Sequence, residues 1–163
     1  MEIKTTIVYE GKKYKLEYSD LDDFSILPLE LCRQIYGVCF VDGKIIVAKN
    51  GKKNTWGLPG GTIEKGETID QAFRREIIEE TNSEILKSLP IGYQRTVDSD
   101  GKYIYQLRSC CLVKRLGEFT SDPAGSVTEI KLINPNDHKK YFDWGNIGER
   151  IIKRAIELKT RLE

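Results

Sequence analysis

Apolar and polar positions alternate along much of the first third of the chain. "IKTTIVY" and "KYKLEY" flank "EGKK" and predict a small N-terminal hairpin. A loop containing Pro28 follows. "QIYGVCFV" and "KIIVAK" then flank "DG", a hairpin signal, because glycine tolerates the positive φ of a tight turn. Further on, "IGYQRTV" and "YIYQLRSCCLVKRL" flank "DSDG" as a second long hairpin. Residues 117–126 are rich in Gly, Ser, Asp and Pro and read as a loop. "VTEIKLI" is one more strand, stopped by "NPND".

Two segments switch to helical spacing. Near the C-terminus, Ile147, Ile151, Ala155, Leu158 and Leu162 form one stripe over residues 146–162, with Asn146 and Glu149 spaced as a capping box. The other helix follows the glycine-rich turn "GLPGG". Thr68 and Gln71 have capping-box spacing, the helix is expected over Ile69–Thr81, and Asn82 suits the left-handed stop. Many strands with two helices predict an α+β fold, layered α/β/α, in one domain over residues 1–163.

The first helix carries an anomaly. At 100° per residue, Ile69, Phe73 and Ile77 form its apolar stripe, and Glu76, Glu79 and Glu80 fall on or beside that stripe. Like charges at i,i+3 and i,i+4 cost roughly 0.2–0.5 kcal/mol per pair, and burying unpaired carboxylates costs several kcal/mol more. Arg75 can neutralise part of this charge but cannot satisfy three carboxylates. A hard divalent cation, Mg²⁺ or Mn²⁺, prefers such oxygen ligands. The turn Gly57, Gly60 and Gly61 around Pro59 lets backbone approach a ligand closely.

Composition narrows the partners. Lys plus Arg total 26 and Asp plus Glu 25, so no bulk charge favours nucleic acid or a membrane surface. No apolar run approaches bilayer-spanning length, and "MEIKTTIVYEGKKYKLEYSD" is too charged for a signal peptide. With a single histidine, His138, and no C-x-x-C among Cys32, Cys39, Cys110 and Cys111, zinc is excluded as the expectation. The cysteines read as small buried residues, reduced in a cytoplasmic setting. Cys110 and Cys111, adjacent in a strand, should face opposite ways.

The stretch from Gly61 to Ser83 resembles the signature of the Nudix hydrolases: a glycine, five residues, a glutamate, seven residues, then R-E-aliphatic-x-E-E-x-G-aliphatic. Gly61, Glu67, Arg75, Glu76, Ile77, Glu79 and Glu80 match; Asn82 and Ser83 stand where glycine and an aliphatic residue are usual. The resemblance implies a Nudix fold, a mixed β-sheet between helices, here preceded by a hairpin extension over residues 1–33 and carrying the signature as loop–helix–loop over 57–83. It implies Mg²⁺- or Mn²⁺-aided hydrolysis of a nucleoside diphosphate linked to another group. Carried over, Glu76, Glu79 and Glu80 are metal ligands or base, the Gly61 carbonyl is a further ligand, and Arg75 and Glu67 orient the carboxylates. Glu76 or Glu79 is the expected base. A further acidic ligand is expected from later in the chain, with Glu129 the first candidate and Asp122 the second.

Substrate contacts are expected from Trp56, Asn54, Arg95 and Tyr105, within a wider set of Lys52, Lys53, Tyr93, Tyr103, Phe119 and Trp144. "NTWGLPGG" and the compact chain are most similar to members acting on nucleoside triphosphates, including oxidised forms. The competing readings are a non-catalytic nucleotide sensor, which usually lacks signature glutamates, and an isomerase, which needs a cysteine at the metal site. The N-terminal hairpin either pairs across a homodimer or caps the sheet.

Overall fold

The computed structural model describes residues 1–123 and 125–163; Ala124, in the expected 117–126 loop, lies outside the described residues. The N-terminal hairpin forms as β1 (Glu2–Tyr9) and β2 (Lys12–Asp20). The next is β3 (Cys32–Val41) with β4 (Lys44–Asn50). Both close through consecutive positive-φ residues, Glu10–Gly11 and Asp42–Gly43, whose twist matches that of paired strands. Short strands β5 (Thr55–Gly57) and β6 (Gly60–Thr62) lead into helix α1 (Ile69–Thr81). Then come β7 (Ser83–Val97), β8 (Tyr103–Arg115), β9 (Val127–Ile133), a 3₁₀ segment at Pro135–Lys140 and helix α2 (Gly145–Lys159).

The strands join one mixed sheet in the order β1-β2-β7-β8-β3-β4-β5, with β6 on β3 and β9 on β4. β3 and β8 run parallel; the other pairs are antiparallel. Because β2 pairs with β7, the N-terminal hairpin extends this sheet and leaves β1 at its edge. The split between β3 and β4 positions the functional site. These strands pair only at Phe40–Ile45 and Val41–Lys44. Beyond that point β3 turns to β6, and β4 turns to β9 and β5. The sheet therefore opens into a cleft beside the glycine turn.

Each face of the sheet is buried by one helix. Ala72, Phe73 and Ile77 of α1 pack with Ile35, Cys39, Ile46, Leu107 and Cys111. On the other face Ile147, Ile151, Ala155 and Leu158 of α2, with Leu162 beyond it, pack with Val38, Phe40, Ile45, Val47 and Cys110. Each such buried Val, Leu, Ile or Phe stabilises the fold by about 1.5–3 kcal/mol. Cys110 and Cys111 fall on opposite faces, as strand alternation requires, and all four cysteines are buried free thiols.

Helix α1 has the expected bounds. Its capping box is formed both ways, with Thr68 accepting from Gln71 N–H and Gln71 accepting from Thr68 N–H, and Asn82 is left-handed. Two expectations are corrected. Asn146 does not cap α2: the helix starts at Gly145, Trp144 sits at the cap without a side-chain bond, and Asp143 Oδ1 accepts from Gly145 N–H at 2.9 Å instead. β7 begins at Ser83, well before the expected Ile91. The ladder takes in Pro90 by shifting register between Pro90 and Gly92, with a second shift between Ile85 and Lys87.

Candidate active site

The glycine turn packs on β3 through Gly60, which has no room for a side chain, and on the helix through Gly61, where a side chain would displace the Glu76 carboxylate. Gly60 has φ +148°, and a Cβ there would stand 2.1 Å from Ile35 O. A Cβ on Gly61 would stand 2.7 Å from the Glu76 carboxylate atoms. The turn is therefore pressed between β3 and the acidic face of α1. Gly60 N–H donates to Glu80 Oε2 at 3.0 Å.

Arg75 gathers the carboxylates. Its Nε and Nη2 donate to both oxygens of Glu67, each at 2.8 Å, a bidentate fork. Nη1 donates to Glu76 Oε1 at 2.9 Å and to Glu79 Oε2 at 3.3 Å, and Nη2 also reaches Thr62 O at 2.9 Å. Glu67 in turn accepts from Glu64 N–H at 2.8 Å. One arginine thus ties the loop, the start of the helix and two glutamates together. The hydrogen bonds from Arg75 hold the Glu67 carboxyl below its ordinary range.

Negative charge remains in excess deeper in the site. Glu80 is 9% exposed and Glu76 8%. Burial, only partly offset by Gly60 N–H and reinforced by Glu76, Asp122 and Glu79, pushes Glu80 up to about 8. Burial also raises Glu76 despite Arg75, with Glu79 and Asp122 adding to the rise.

Asp122 is the acidic residue that the later chain brings to the cluster. It is buried, its Oδ2 accepts from Ser126 Oγ at 3.0 Å and Val127 N–H at 3.1 Å, and its charge acts on both Glu76 and Glu80. Glu129 does not join them. It is exposed on β9 opposite Lys49 and lines a separate shallow hollow with Arg115, Glu118 and Phe119. The ladder, which shifts register between Lys49 and Asn50, puts Glu129 on the strand face of Lys49, opposite to that of Ala48 and Asn50, which line the cleft.

The donor chemistry suits a hard divalent ion: oxygen ligands, excess negative charge and a close backbone turn. Among the described residues, no three Asp, Glu, His or Cys side chains stand together closely enough to enclose an ion as they are. Glu76 and Glu79 are turned onto Arg75, and Glu80 onto Gly60, so these side chains must swing to receive one.

The cluster opens into a cleft of about 830 Å³, walled by Gly60–Thr62, Glu76, Glu79, Glu80, Lys53, Trp56, Tyr36, Gln106, Arg108 and Trp144. Trp56 is at the cleft as expected, edge-on to Tyr141 with centroids 5.5 Å apart. Asn54 is not in its wall. It holds the left-handed turn position before β5, φ +54°, and its neighbour Lys53 lines the cleft instead, donating to Tyr9 OH at 2.8 Å.

Arg95 and Tyr105 lie elsewhere. Arg95 pairs with Glu17 at 3.7 Å and stacks 4.1 Å from the Tyr103 ring centroid. Tyr105 packs edge-on against Tyr93 and Tyr103, against the core that faces α1. On β8 it is the opposite parity, Gln106 and Arg108, that reaches the cleft. Sequence reasoning overlooked Arg108, although an arginine set in the apolar run "QLRSCCL", on the same strand face as Cys110, is an inward-pointing charge and a signal in itself. No cysteine lines the cleft, which removes the basis of the isomerase reading.

A family model described as NUDIX domain matches residues 33–154. The chain is 36% identical over 63 residues to the Bacillus subtilis (strain 168) protein named "Putative 8-oxo-dGTP diphosphatase", covering 38% of this chain and 42% of that protein. It is 40% identical over 43 residues to the RNA pyrophosphohydrolase of Sodalis glossinidius (strain morsitans), covering 26% of this chain and 25% of that one. The match thus spans less than half the length of either relative. The crystal structure of a mutant of the Bacillus subtilis pyrophosphohydrolase BsRppH superposes with a TM-score of 0.72 at 17% identity, over 100% of this chain and 99% of that one. At that identity the likeness is one of fold.

Proposed function

The chain belongs to the NUDIX domain family, and from that premise we propose that it is a metal-dependent pyrophosphohydrolase cleaving the phosphoanhydride of a nucleoside diphosphate linked to another group. Nucleoside triphosphates are the substrates it would take first; a relative matched over 63 residues is named for an oxidised one. The observation that carries this reading is the pair of buried carboxylates, Glu76 and Glu80, joined by Asp122 and short of positive charge.

Glu76, Glu80 and the Gly61 carbonyl would hold Mg²⁺ or Mn²⁺, with Asp122 beside them rather than Glu129. The ion would neutralise the phosphate oxygens and lower the pKa of the attacking water. Arg75 keeps Glu76 and Glu79 aimed from one side, and Glu67 fixes Arg75. Glu79 accepts the proton of the water: its side chain is 26% exposed and lines the cleft, and its bond to Arg75 is the longest that guanidinium makes. The oxygen of the water bonds to phosphorus, the anhydride P–O bond breaks, and its electron pair leaves on the departing phosphate or pyrophosphate. Lys53 and Trp56 at the rim contact the substrate; Asn54 acts only by shaping that turn.

A panel of nucleotides with Mg²⁺, each product identified by chromatography, tests this. Cleavage at a phosphoanhydride that stops with chelator is the expected result. Tight binding of one nucleotide with no turnover of any would assign a sensor instead.

A further inference from the structure

Arg108 is 5% exposed on β8, paired in register with Tyr36 of β3. Among the described residues its guanidinium has no carboxylate partner: Nη1 donates to Leu107 O at 3.2 Å, and Nε is buried with no hydrogen-bond partner. It lies 5.0 Å from the Tyr36 ring centroid and 5.9 Å from that of Trp144. Burial lowers its pKa only to about 10, so it stays charged at neutral pH. A buried cation with unused donors is costly unless something supplies acceptors.

Its position says which part of a substrate could do so. Arg108 and Trp144 line the cleft and also a second cavity of about 510 Å³ beneath the N-terminal hairpin. That cavity is walled by Ile3, Ile7, Leu16, Ile147 and Trp144, with Gln94, Asn146 and Asp143 among its further polar groups and the exposed Lys4 paired to Glu2 at 3.3 Å. Its apolar wall, the Trp144 ring and the Tyr36 ring of the adjoining cleft suit a flat heterocycle, and the Asp143 carboxylate disfavours a phosphate. The groups acting on the Arg108 charge are Tyr36 and Tyr18, whereas the carboxylates act on one another and on Tyr36. Tyr36 of β3 is paired with Gly60 of the glycine turn on one side and with Arg108 on the other, so Arg108 stands one strand beyond the turn and its acidic cluster.

We propose that Arg108 selects the nucleobase, donating to an edge that presents two adjacent acceptors, as O6 and N7 of guanine or hypoxanthine do, in a slot bounded by Trp144 and Tyr36. This rests on the nucleotide reading above. Adenine keeps N7 but sets an amino donor where O6 would stand, so one guanidinium N–H meets N–H instead of oxygen and that pair of donors stays unsatisfied.

Equilibrium binding tests this without turnover. GMP, IMP, 7-deaza-GMP, AMP and ribose 5-phosphate are titrated calorimetrically, with Mg²⁺, into the wild type and Arg108→Met. GMP and IMP are expected to bind wild type about tenfold or more tighter than AMP or 7-deaza-GMP. Arg108→Met should reduce the GMP-to-AMP ratio to within about twofold and leave ribose 5-phosphate within about twofold of wild type. The proposal is overturned if wild type shows no preference, if the preference survives Arg108→Met, or if ribose 5-phosphate weakens as much as GMP, which would make Arg108 a phosphate ligand. Should Arg108→Met fail to fold, the wild-type series alone decides, since the 7-deaza and 6-amino analogues remove the acceptors from the ligand side. Absence of hydrolysis would sink the enzymatic reading and leave this result legible.

Discussion

Glu80 is caught between two demands. As a buried carboxylate with one backbone donor it destabilises the metal-free protein, and as the proposed metal ligand it would be the reason for the site. Its pKa of about 8 lies above the ordinary 4.5. Between these values the folded state holds more protons at Glu80 than the unfolded, so the contribution of Glu80 to stability is most favourable below about pH 4.5 and is lost as pH rises through 8. Melting of chelated wild type should therefore drop from pH 6 to pH 9, whereas Glu80→Gln should melt higher than wild type at pH 9 and depend less on pH. The same substitution should cut kcat at least about a hundredfold, since loss even of a group that merely supports a ligand costs about 10–100-fold. A lower melting point for Glu80→Gln at pH 9 would contradict the account. Gly61→Ala makes a second test. Its Cβ would meet the Glu76 carboxylate at 2.7 Å, so activity should fall about a hundredfold while the melting temperature shifts by only a few degrees.

At the scale of elements, the N-terminal hairpin is fastened to the C-terminal helix by Asp20. It accepts from Arg150 Nη2 at 2.6 Å and from Tyr18 OH at 3.0 Å, and lies 3.9 Å from Arg154. Burial pushes its pKa up, but the Arg150 and Tyr18 hydrogen bonds outweigh burial and hold it below the ordinary range. That stability is present above about pH 4 and lost as pH falls through the lowered value. Asp20→Asn should cost about 1.5–3 kcal/mol in denaturant melts at pH 7, and the difference from wild type should shrink in acid. Local signals made the elements legible: Thr68, Gln71 and Asn82 bound α1, and "DG" marks the β3–β4 turn. Where tertiary pairing overrode local cues, reading failed. The strand expected from Ile91 begins at Ser83 because β8 pairs it through Pro90, and Asn146, a cap by spacing, lies one residue inside α2. The signature residues were readable because they sit on one helix and one turn. Tyr36 and Arg108 reach the cleft through sheet register, which spacing along the chain does not reveal, and the loop path that favours Asp122, the second candidate by sequence, over Glu129 is equally unreadable there.

For the whole molecule, near-balanced charge means that recognition of the proposed phosphorylated substrate would depend on local groups in the cleft, not on a global field. The split of β3 from β4 is the architectural cause of that cleft, and α1 lays its acidic edge along the opening. The helices are otherwise tied to the two cores, and among the described residues none is long and apolar enough to cross a membrane. All of this turns on whether the acidic edge takes up a divalent ion. Titration with Mn²⁺, followed by loss of the free-ion electron paramagnetic resonance signal in the presence of a nucleotide, measures that uptake directly. Wild type should bind saturably and Glu80→Gln at least about tenfold more weakly. Equal binding by both proteins, or none by wild type, would contradict the account.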